Sequence, residues 1–447
     1  MYLVQGHPLD KIELLVLGGT WSEYPESYQR MFVTELFYAA NTFFDSIPRR
    51  EMKSLREEQR INETTRVRII GLTLETRPDA IDMNELARMR EYGCTRVQLG
   101  VQHTDDKILK RVNRGCYFKD TVRAMKMIKE CGFKLDAHWM TQLPGTTPSM
   151  DKNMFLNVLY NPSLQADQWK VYPTAVTPYT VIKRWFENGE YTPYEDKELL
   201  EVLLYVKTRV HPWIRLNRVI RDIPEQMILG GNKVVNLRQK LHIELKRRGQ
   251  RCRCIRCREV RDRKQQDNSK NDAILVRRDY DAQESREIFL SFESNDDDRE
   301  VLYGFVRLRL PSRPLLDHNK LFPELQGRCA LIRELHVYGA VTAVSNRTRD
   351  ESAQHVGFGQ RLMHEAERIS IEQGYERVAV IAGIGTREYY RAKCGYELRG
   401  TYMMKELKKK RRHEMSQFQL LLFVISSWLL GWVVCGEISS AFAFSLS

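Results

Sequence analysis

Between residues 12 and 210, short apolar runs alternate with amphipathic stretches, and no other property of the chain restricts its fold as much. Ile12–Leu17, Val67–Leu74, Arg96–Val101, Phe133–Met140 and Gln168–Tyr172 read as strands. Gln29–Phe44, with Phe32, Leu36 and Ala39 at helical spacing, reads as a helix, as do Ile81–Tyr92, Asp105–Val112, Asp120–Cys131 and Lys197–Val210. Strand–helix–strand order calls for parallel strands joined by crossover helices, because a tight turn cannot connect parallel neighbours. Residues 1–225 are therefore expected to form an open or closed (β/α) barrel, with functional residues at the C-terminal ends of its strands.

The composition then changes. Lys246, Arg247, Arg248, Arg251, Arg253, Arg256, Arg258, Arg261, Arg263 and Lys264 crowd residues 226–270, a basic linker that also holds Cys252, Cys254 and Cys257. From 271 to 407 the pattern is β-rich, with strands at Ala273–Arg277, Ile288–Phe292, Val301–Leu308 and Arg328–Tyr338, and predicts a second α/β domain. Residues 416–436 carry no charge and follow Lys408, Lys409, Lys410, Arg411 and Arg412, which predicts a transmembrane tail with a cytoplasmic basic flank. Such a tail would anchor a cytoplasm-facing protein in the outer mitochondrial or ER membrane; the alternatives are a buried core helix or a mispredicted gene end. The net charge of +13 suits nucleic acid or an anionic membrane surface. Nine cysteines, mostly isolated and odd in number, argue for a reducing compartment and against a disulfide framework. The first residues do not read as a signal peptide; they lead straight into a strand, so the chain is expected to begin inside a domain.

Gln354-His355-Val356-Gly357-Phe358-Gly359 reads Q-x-x-G-x-G and opens a helix whose apolar face carries Leu362, Met363, Ala366 and Ile369. The glycines permit close backbone approach, and the helix start offers N–H groups to an anion, so a pyrophosphate fits there. A plain glycine turn before an ordinary helix is the competing reading. The segment resembles the acetyl-CoA grip of the GNAT acetyltransferases. Farther on, Tyr389 and Tyr390 are candidate catalytic residues, since a phenol can protonate a leaving thiolate or hydrogen-bond an acyl carbonyl. Each alone reads better as a core or rim aromatic.

These stretches, with Asp10-Lys11-Ile12-Glu13, Leu17-Gly18-Gly19-Thr20, Leu74-Glu75-Thr76-Arg77-Pro78-Asp79, Gly93-Cys94-Thr95-Arg96, Gly100-Val101-Gln102, Asn113-Arg114-Gly115 and Arg221-Asp222-Ile223-Pro224, resemble the family of Elongator complex protein 3 over nearly all of residues 1–407. The resemblance implies a partial radical-SAM (β/α) barrel, a GNAT-type domain and synthesis of 5-carboxymethyluridine at the tRNA wobble position. Its implied partners are tRNA and other Elongator subunits. Carried over residue by residue, it implies acetyl-CoA contacts at Lys11, Glu334, Leu335, His336, Val337, Gly357, Phe358, Gly359, Gln360 and Tyr390. It likewise implies an S-adenosyl-L-methionine (SAM) site at Gly18 and Gly19, with Glu75, Arg77 and Gln102 at successive strand ends.

The family's 4Fe-4S cluster needs three closely spaced cysteines on a loop before the first of these strands, and this chain has no such run. A truncated sequence is expected on that ground, with loss of radical chemistry as the alternative. Cys252, Cys254 and Cys257 resemble a zinc knuckle of part of the family, with His242 as a candidate fourth ligand. Two other functions compete: a protein lysine acetyltransferase with the barrel as scaffold, and a tRNA-binding pseudoenzyme.

Overall fold

Parallel strands flanked by helices on both sides normally read as continuous apolar runs. The first six strands of this chain alternate instead. In β3 (Arg96–Gln102), Val97, Leu99 and Val101 join the core while Arg96, Gln98 and Gln102 take the opposite face. In β4 (Lys134–Thr141) the core side chains are Leu135, Ala137 and Trp139, and in β5 (Gln168–Pro173) they are Trp169 and Val171. With β1 (Lys11–Val16), β2 (Arg68–Thr76) and β6 (Arg215–Val219), these strands form a parallel sheet in the order β1-β2-β3-β4-β5-β6. One face is apolar and receives the helices; the other is lined with polar groups.

The computed structural model describes residues 4–219, 223–234, 236–260, 272–313, 319–338 and 357–407. The helices of the first part are α1 (Glu26–Asn41), α2 (Leu55–Asn62), α3 (Met83–Glu91), α4 (Asp106–Arg111), α5 (Phe118–Glu130), α6 (Pro148–Tyr160), α7 (Val181–Glu187) and α8 (Asp196–Arg209). Each predicted strand and helix of this part is present, displaced by a few residues at its ends. Four elements were not anticipated: α2, α6, α7 and β6. Thr147 caps α6 by accepting the Met150 N–H, and Pro148 opens its first turn, a start signal that was legible. After β6 come α9 (Leu237–Arg247) and the short α10 (Ile255–Arg258), whose Ile255 N–H donates to the Ile214 carbonyl beside the start of β6.

A second sheet follows: β7 (Ile274–Ala282), β8 (Ser285–Glu293), β9 (Leu302–Leu310), β10 (Cys329–Val337), β11 (Arg377–Val380), β12 (Glu397–Arg399) and β13 (Tyr402–Glu406). Its order is β12-β13-β11-β10-β9-β8-β7, antiparallel except for the parallel pair β10–β11. Leu362, Met363, Ala366 and Ile369 of α11 (Phe358–Glu372) pack on this sheet as their spacing predicts, and α12 (Arg387–Cys394) adds Tyr390 and Cys394 to the same core.

The second sheet meets the first at the N-terminal ends of the parallel strands. The Tyr402 hydroxyl donates to the Cys131 carbonyl (2.6 Å), and Arg333 donates to the Phe133 carbonyl (3.0 Å). Gly383 and Gly385 lie so close to β2 that a Cβ on Gly383 would collide with the Ile70 backbone and one on Gly385 with the Arg68 Cβ. The expected C-terminal membrane span is corrected: no helix of the described residues is long and apolar enough to cross a membrane, and residues 416–436 lie outside them. Membrane attachment through the tail is therefore withdrawn. Gln354, His355, Val356, Arg221 and Asp222 also lie outside the described residues.

Candidate active site

At the C-terminal strand ends, Gly18 and Gly19 turn the chain after β1 with φ of 103° and 95°, values that suit glycine alone. The Gly18 N–H points at a Glu75 carboxylate oxygen (3.4 Å), and the other oxygen of Glu75 lies 3.5 Å from His138 Nδ1. Gln102 closes β3 in a left-handed conformation (φ 77°), uncommon for a residue with a side chain. Gly18, Gly19, Glu75 and Gln102 thus all lie where the first two strands and the third end. Arg77 stands beside them but is engaged by Asp79 through two hydrogen bonds of 2.6 and 3.0 Å.

Below the strand ends, the polar face carries residues that the sequence reading missed. Arg96 spans the face, donating to Thr73 (2.9 Å), Gln168 (3.0 Å) and Glu13 (2.6 Å). Asn217 continues the line from Gln168 (2.5 Å) to Asp136 (2.8 Å). One hydrogen-bonded belt so joins side chains from all six parallel strands. Above it, Lys170 donates to Gln98 (2.7 Å), and His138 Nε2 lies 3.3 Å from the same oxygen. Burial pushes the His138 imidazole down to about 3, and Lys170, Arg114 and Arg218 push the same way, so the ring is neutral at physiological pH. The signal that could have found these residues was the period-two polarity of β3 to β6, which contradicts an ordinary parallel sheet.

In the second sheet, β10 pairs with β11 only from Cys329 to Ile332, then continues to Val337 beside β9 alone. The two strands diverge at Arg333, where the register with β9 shifts. The divergent half of β10 is Glu334, Leu335, His336 and Val337, the segment singled out from the sequence. Glu334 pairs with Arg307 (2.9 Å); burial would raise its carboxyl, but Lys134 and Arg307 more than offset this and keep it low. Gly357 begins α11 with φ 73°. Phe358 is buried and stacks on Phe292 at 4.4 Å, so it serves the core. A Cβ on Gly359 would lie 2.6 Å from the Tyr389 hydroxyl and 3.7 Å from Val337, which brings α11, α12 and β10 to one point. Tyr390 is buried against Tyr389 (5.4 Å between rings), and burial drives both phenols up, so they are proton-bearing donors. Gln360 points elsewhere and donates to the Lys393 carbonyl (3.0 Å). Lys11 is exposed at the first residue of β1, in the other sheet.

The sulfurs of Cys252, Cys254 and Cys257 lie within 4.8 Å of one another. Hydrogen bonds from Cys252 and Cys257 hold the Cys254 thiol below its ordinary range, and Lys207 approaches Cys257 (3.8 Å). His242 lines the same cavity of about 460 Å³. This trio sits beside Ile214 and the start of β6, at the end of the sheet opposite Gly18 and Glu75. It cannot stand in for cluster ligands there. Of the surrounding basic residues, Arg215 is engaged by Glu259 (2.5 Å) and Tyr338 (3.0 Å), Arg248 by Glu201 (2.9 Å), and Arg258 by Glu293 (3.0 Å), so part of the expected basic patch is spent on internal ion pairs.

The six-stranded unit is a radical SAM half barrel: the radical SAM superfamily model matches residues 23–154, and the radical SAM C-terminal domain model matches residues 166–247. That superfamily uses SAM and a 4Fe-4S cluster. The chain is 41% identical over 406 residues to the tRNA uridine(34) acetyltransferase of Methanocaldococcus infernus, covering 90% of this chain and 73% of that protein. It is 40% identical over 405 residues to the Dehalococcoides mccartyi protein of the same name, covering 90% and 84%. It is 38% identical over 405 residues to Homo sapiens Elongator complex protein 3, covering 90% and 71%. The solved structure of Methanocaldococcus infernus Elp3 with an N-terminal deletion (1–46) superposes with a TM-score of 0.81 at 40% identity, covering 91% of this chain and 92% of that one. The chain belongs to the tRNA uridine(34) acetyltransferase/Elongator complex protein 3 family.

Proposed function

We infer that this chain is an Elongator-type enzyme that modifies the wobble uridine of tRNA with a carboxymethyl group derived from acetyl-CoA. The observation that carries the reading is the continuous 41% identity over 406 residues, which spans both sheets. Residues 1–225 are read as the radical-SAM part, 226–270 as the basic linker and 271–407 as a GNAT-type acetyltransferase domain. In that domain the parting of β10 from β11 beyond Ile332 would leave room for a cofactor beside the start of α11. Acetyl-CoA would lie along Glu334–Val337 with its pyrophosphate at Gly357–Gly359, where the first N–H groups of a helix have no partner within the helix. Tyr390 and Tyr389 would face the acetyl group as hydrogen-bond donors, with Lys11 reaching the cofactor from the barrel side. tRNA would bind across the basic surface, other Elongator subunits being its protein partners.

At the opposite strand ends, Gly18 and Gly19 with Glu75, Arg77 and Gln102 fit the methionine part of SAM, whose cleavage supplies the radical in this superfamily. A 4Fe-4S cluster does not fit the described cysteines, because the one closely spaced trio among the described residues lies at the far end of the sheet. No step is assigned to it. That trio suits tetrahedral zinc instead, with His242 as the nearest candidate for a fourth ligand.

The test is CoA release from acetyl-CoA by the purified chain, with and without tRNA. Release is expected to rise with tRNA and to fall by about a hundredfold in Tyr390→Phe, the effect of losing a positioned proton donor. Release that ignores tRNA, or transfer to a lysine peptide instead, would favour the lysine acetyltransferase reading.

A further inference from the structure

Two adjacent strands of the half barrel finish in the same uncommon way. Gln102, the last residue of β3, and Gln142, the first after β4, both have left-handed backbone, with φ of 77° and 61°. Neither is glycine, so each conformation is strained and persists only where its surroundings impose it. For Gln102 the strand ladder does not impose it. β3 and β4 pair in step from Arg96 to Leu99, and the register then shifts before Gln102 meets Trp139. The place of Gln102 is therefore set by what holds the residue after it.

That residue is His103, which is buried. Its Nδ1 accepts the Asp105 N–H (3.0 Å), so the ring carries its proton on Nε2. Nε2 faces Asp151 Oδ1 of α6 at 3.6 Å, and neither atom has a hydrogen-bond partner among the described residues. The other oxygen of Asp151 accepts the Gln142 N–H (2.9 Å) and the Tyr194 hydroxyl (2.7 Å). One buried carboxylate thus serves the turns that finish both strands: it holds the β4 turn by a hydrogen bond and meets the β3 turn through an imidazole. The separation of 3.6 Å is longer than a hydrogen bond. A buried donor and acceptor that face each other gain by closing such a gap, and contacts in ligand-free sites often tighten only when the ligand binds. Closing this one moves the residue joined to His103, which is Gln102. We propose that Asp151, acting through His103, is a positioning residue for the SAM site and draws Gln102 into place against the ligand. The proposal rests on the SAM reading above and adds to it the group that sets one of its contacts.

It is tested by calorimetric titration of the full chain with SAM, in a cycle of two substitutions. Asp151→Asn keeps a carbonyl oxygen for Gln142 and Tyr194 but turns an amide donor toward the Nε2–H of His103. His103→Asn keeps an acceptor for the Asp105 N–H, because its Oδ1 takes the place of Nδ1, and removes only the donor that faces Asp151. Each is expected to weaken SAM binding about tenfold, the effect of leaving one buried polar group without its partner. The double variant should lose no more than about tenfold, since both substitutions break a single contact. Acetyl-CoA, whose proposed site lies on the other sheet, should bind within about twofold of wild type in all three. Unchanged SAM affinity in either single variant overturns the proposal. So does a double variant weakened about a hundredfold, which would show that the two residues act separately. A parallel loss of SAM and acetyl-CoA affinity would show a general structural role and overturns it as well. Should Asp151→Asn lose its cooperative melting transition, His103→Asn decides alone. A wild-type chain that binds acetyl-CoA but not SAM removes the SAM reading itself, and the proposal with it.

Discussion

At Gly359 the missing side chain lets the Tyr389 hydroxyl reach the start of α11, since a Cβ there would sit 2.6 Å from that oxygen. Tyr389 is 37% exposed and can swing outward, so Gly359→Ala should fold almost as well as the wild type. Its acetyl-CoA affinity, read by calorimetric titration, is expected to fall about tenfold, because the displaced phenol sits at the proposed cofactor slot. An unchanged affinity would separate Tyr389 from that slot. The glycine pattern was visible in the sequence, but its reason was not: nothing local links Gly359 to Tyr389. The same holds for Gly383 and Gly385, whose cause is the close approach of β2. Tyr390 is the converse case. It was chosen for chemistry, and its placement beside Tyr389 in the α11–β10 core follows from helical spacing.

The bulge in β10 aims Arg333 into the space between the sheets. There it binds Asp167 through both carboxylate oxygens (2.6 and 2.7 Å) and Glu287 (2.5 Å). Lys129 of α5 faces the same two carboxylates at 3.6 Å, with Arg309 also on Glu287 at 3.0 Å. Burial lowers the Lys129 ammonium to about 8, despite both carboxylates. Because the folded value lies below the unfolded one of 10.5, the buried charge destabilises the native state fully below pH 8, and this cost is relieved as pH rises toward 10.5. Other groups titrate in this range, so the informative quantity is the difference between wild type and Lys129→Met in denaturant unfolding. The wild type should gain about 3 kcal/mol relative to the variant between those pH values. A flat difference would show that Lys129 stays charged throughout. Elements themselves were readable where apolar periodicity was long. β6 was missed because its alternation R-L-N-R-V is short and basic, and α6 because its start signal was passed over.

At the scale of the molecule, the proposed acetyl-CoA and SAM sites are built on different sheets, and the second sheet sits under the N-terminal ends of the first. Ion pairs hold the junction. Arg387 and Arg391 of α12 both reach Glu63 at the end of α2 (3.1 and 3.0 Å), and Arg90 of α3 donates to the Thr401 carbonyl (2.7 Å). Several arginines counted toward the net charge of +13 are therefore structural, and the surface offered to tRNA is smaller than composition suggests. tRNA affinity should still fall with salt, by at least about tenfold between 50 and 200 mM, since a few phosphate contacts suffice for that slope. Filter binding across that range checks it; a flat profile would leave no role for phosphate contacts.

The amino-acid sequence by itself determined most elements of the first part, the parallel sense of five of its six strands, and the residue types at the glycine turns and strand ends. These follow from local rules, namely periodicity, capping and left-handed backbone, that act within a few residues. Only the tertiary structure decided which groups share a site. It brought Gly359, Tyr389 and Val337 to one point, set the belt and the Lys170 trio inside the half barrel, and put the cysteine trio at the wrong end for a cluster. It also turned much of the positive charge inward to carboxylates distant in sequence. Such placements depend on the register of one sheet against another, and no window of sequence encodes that.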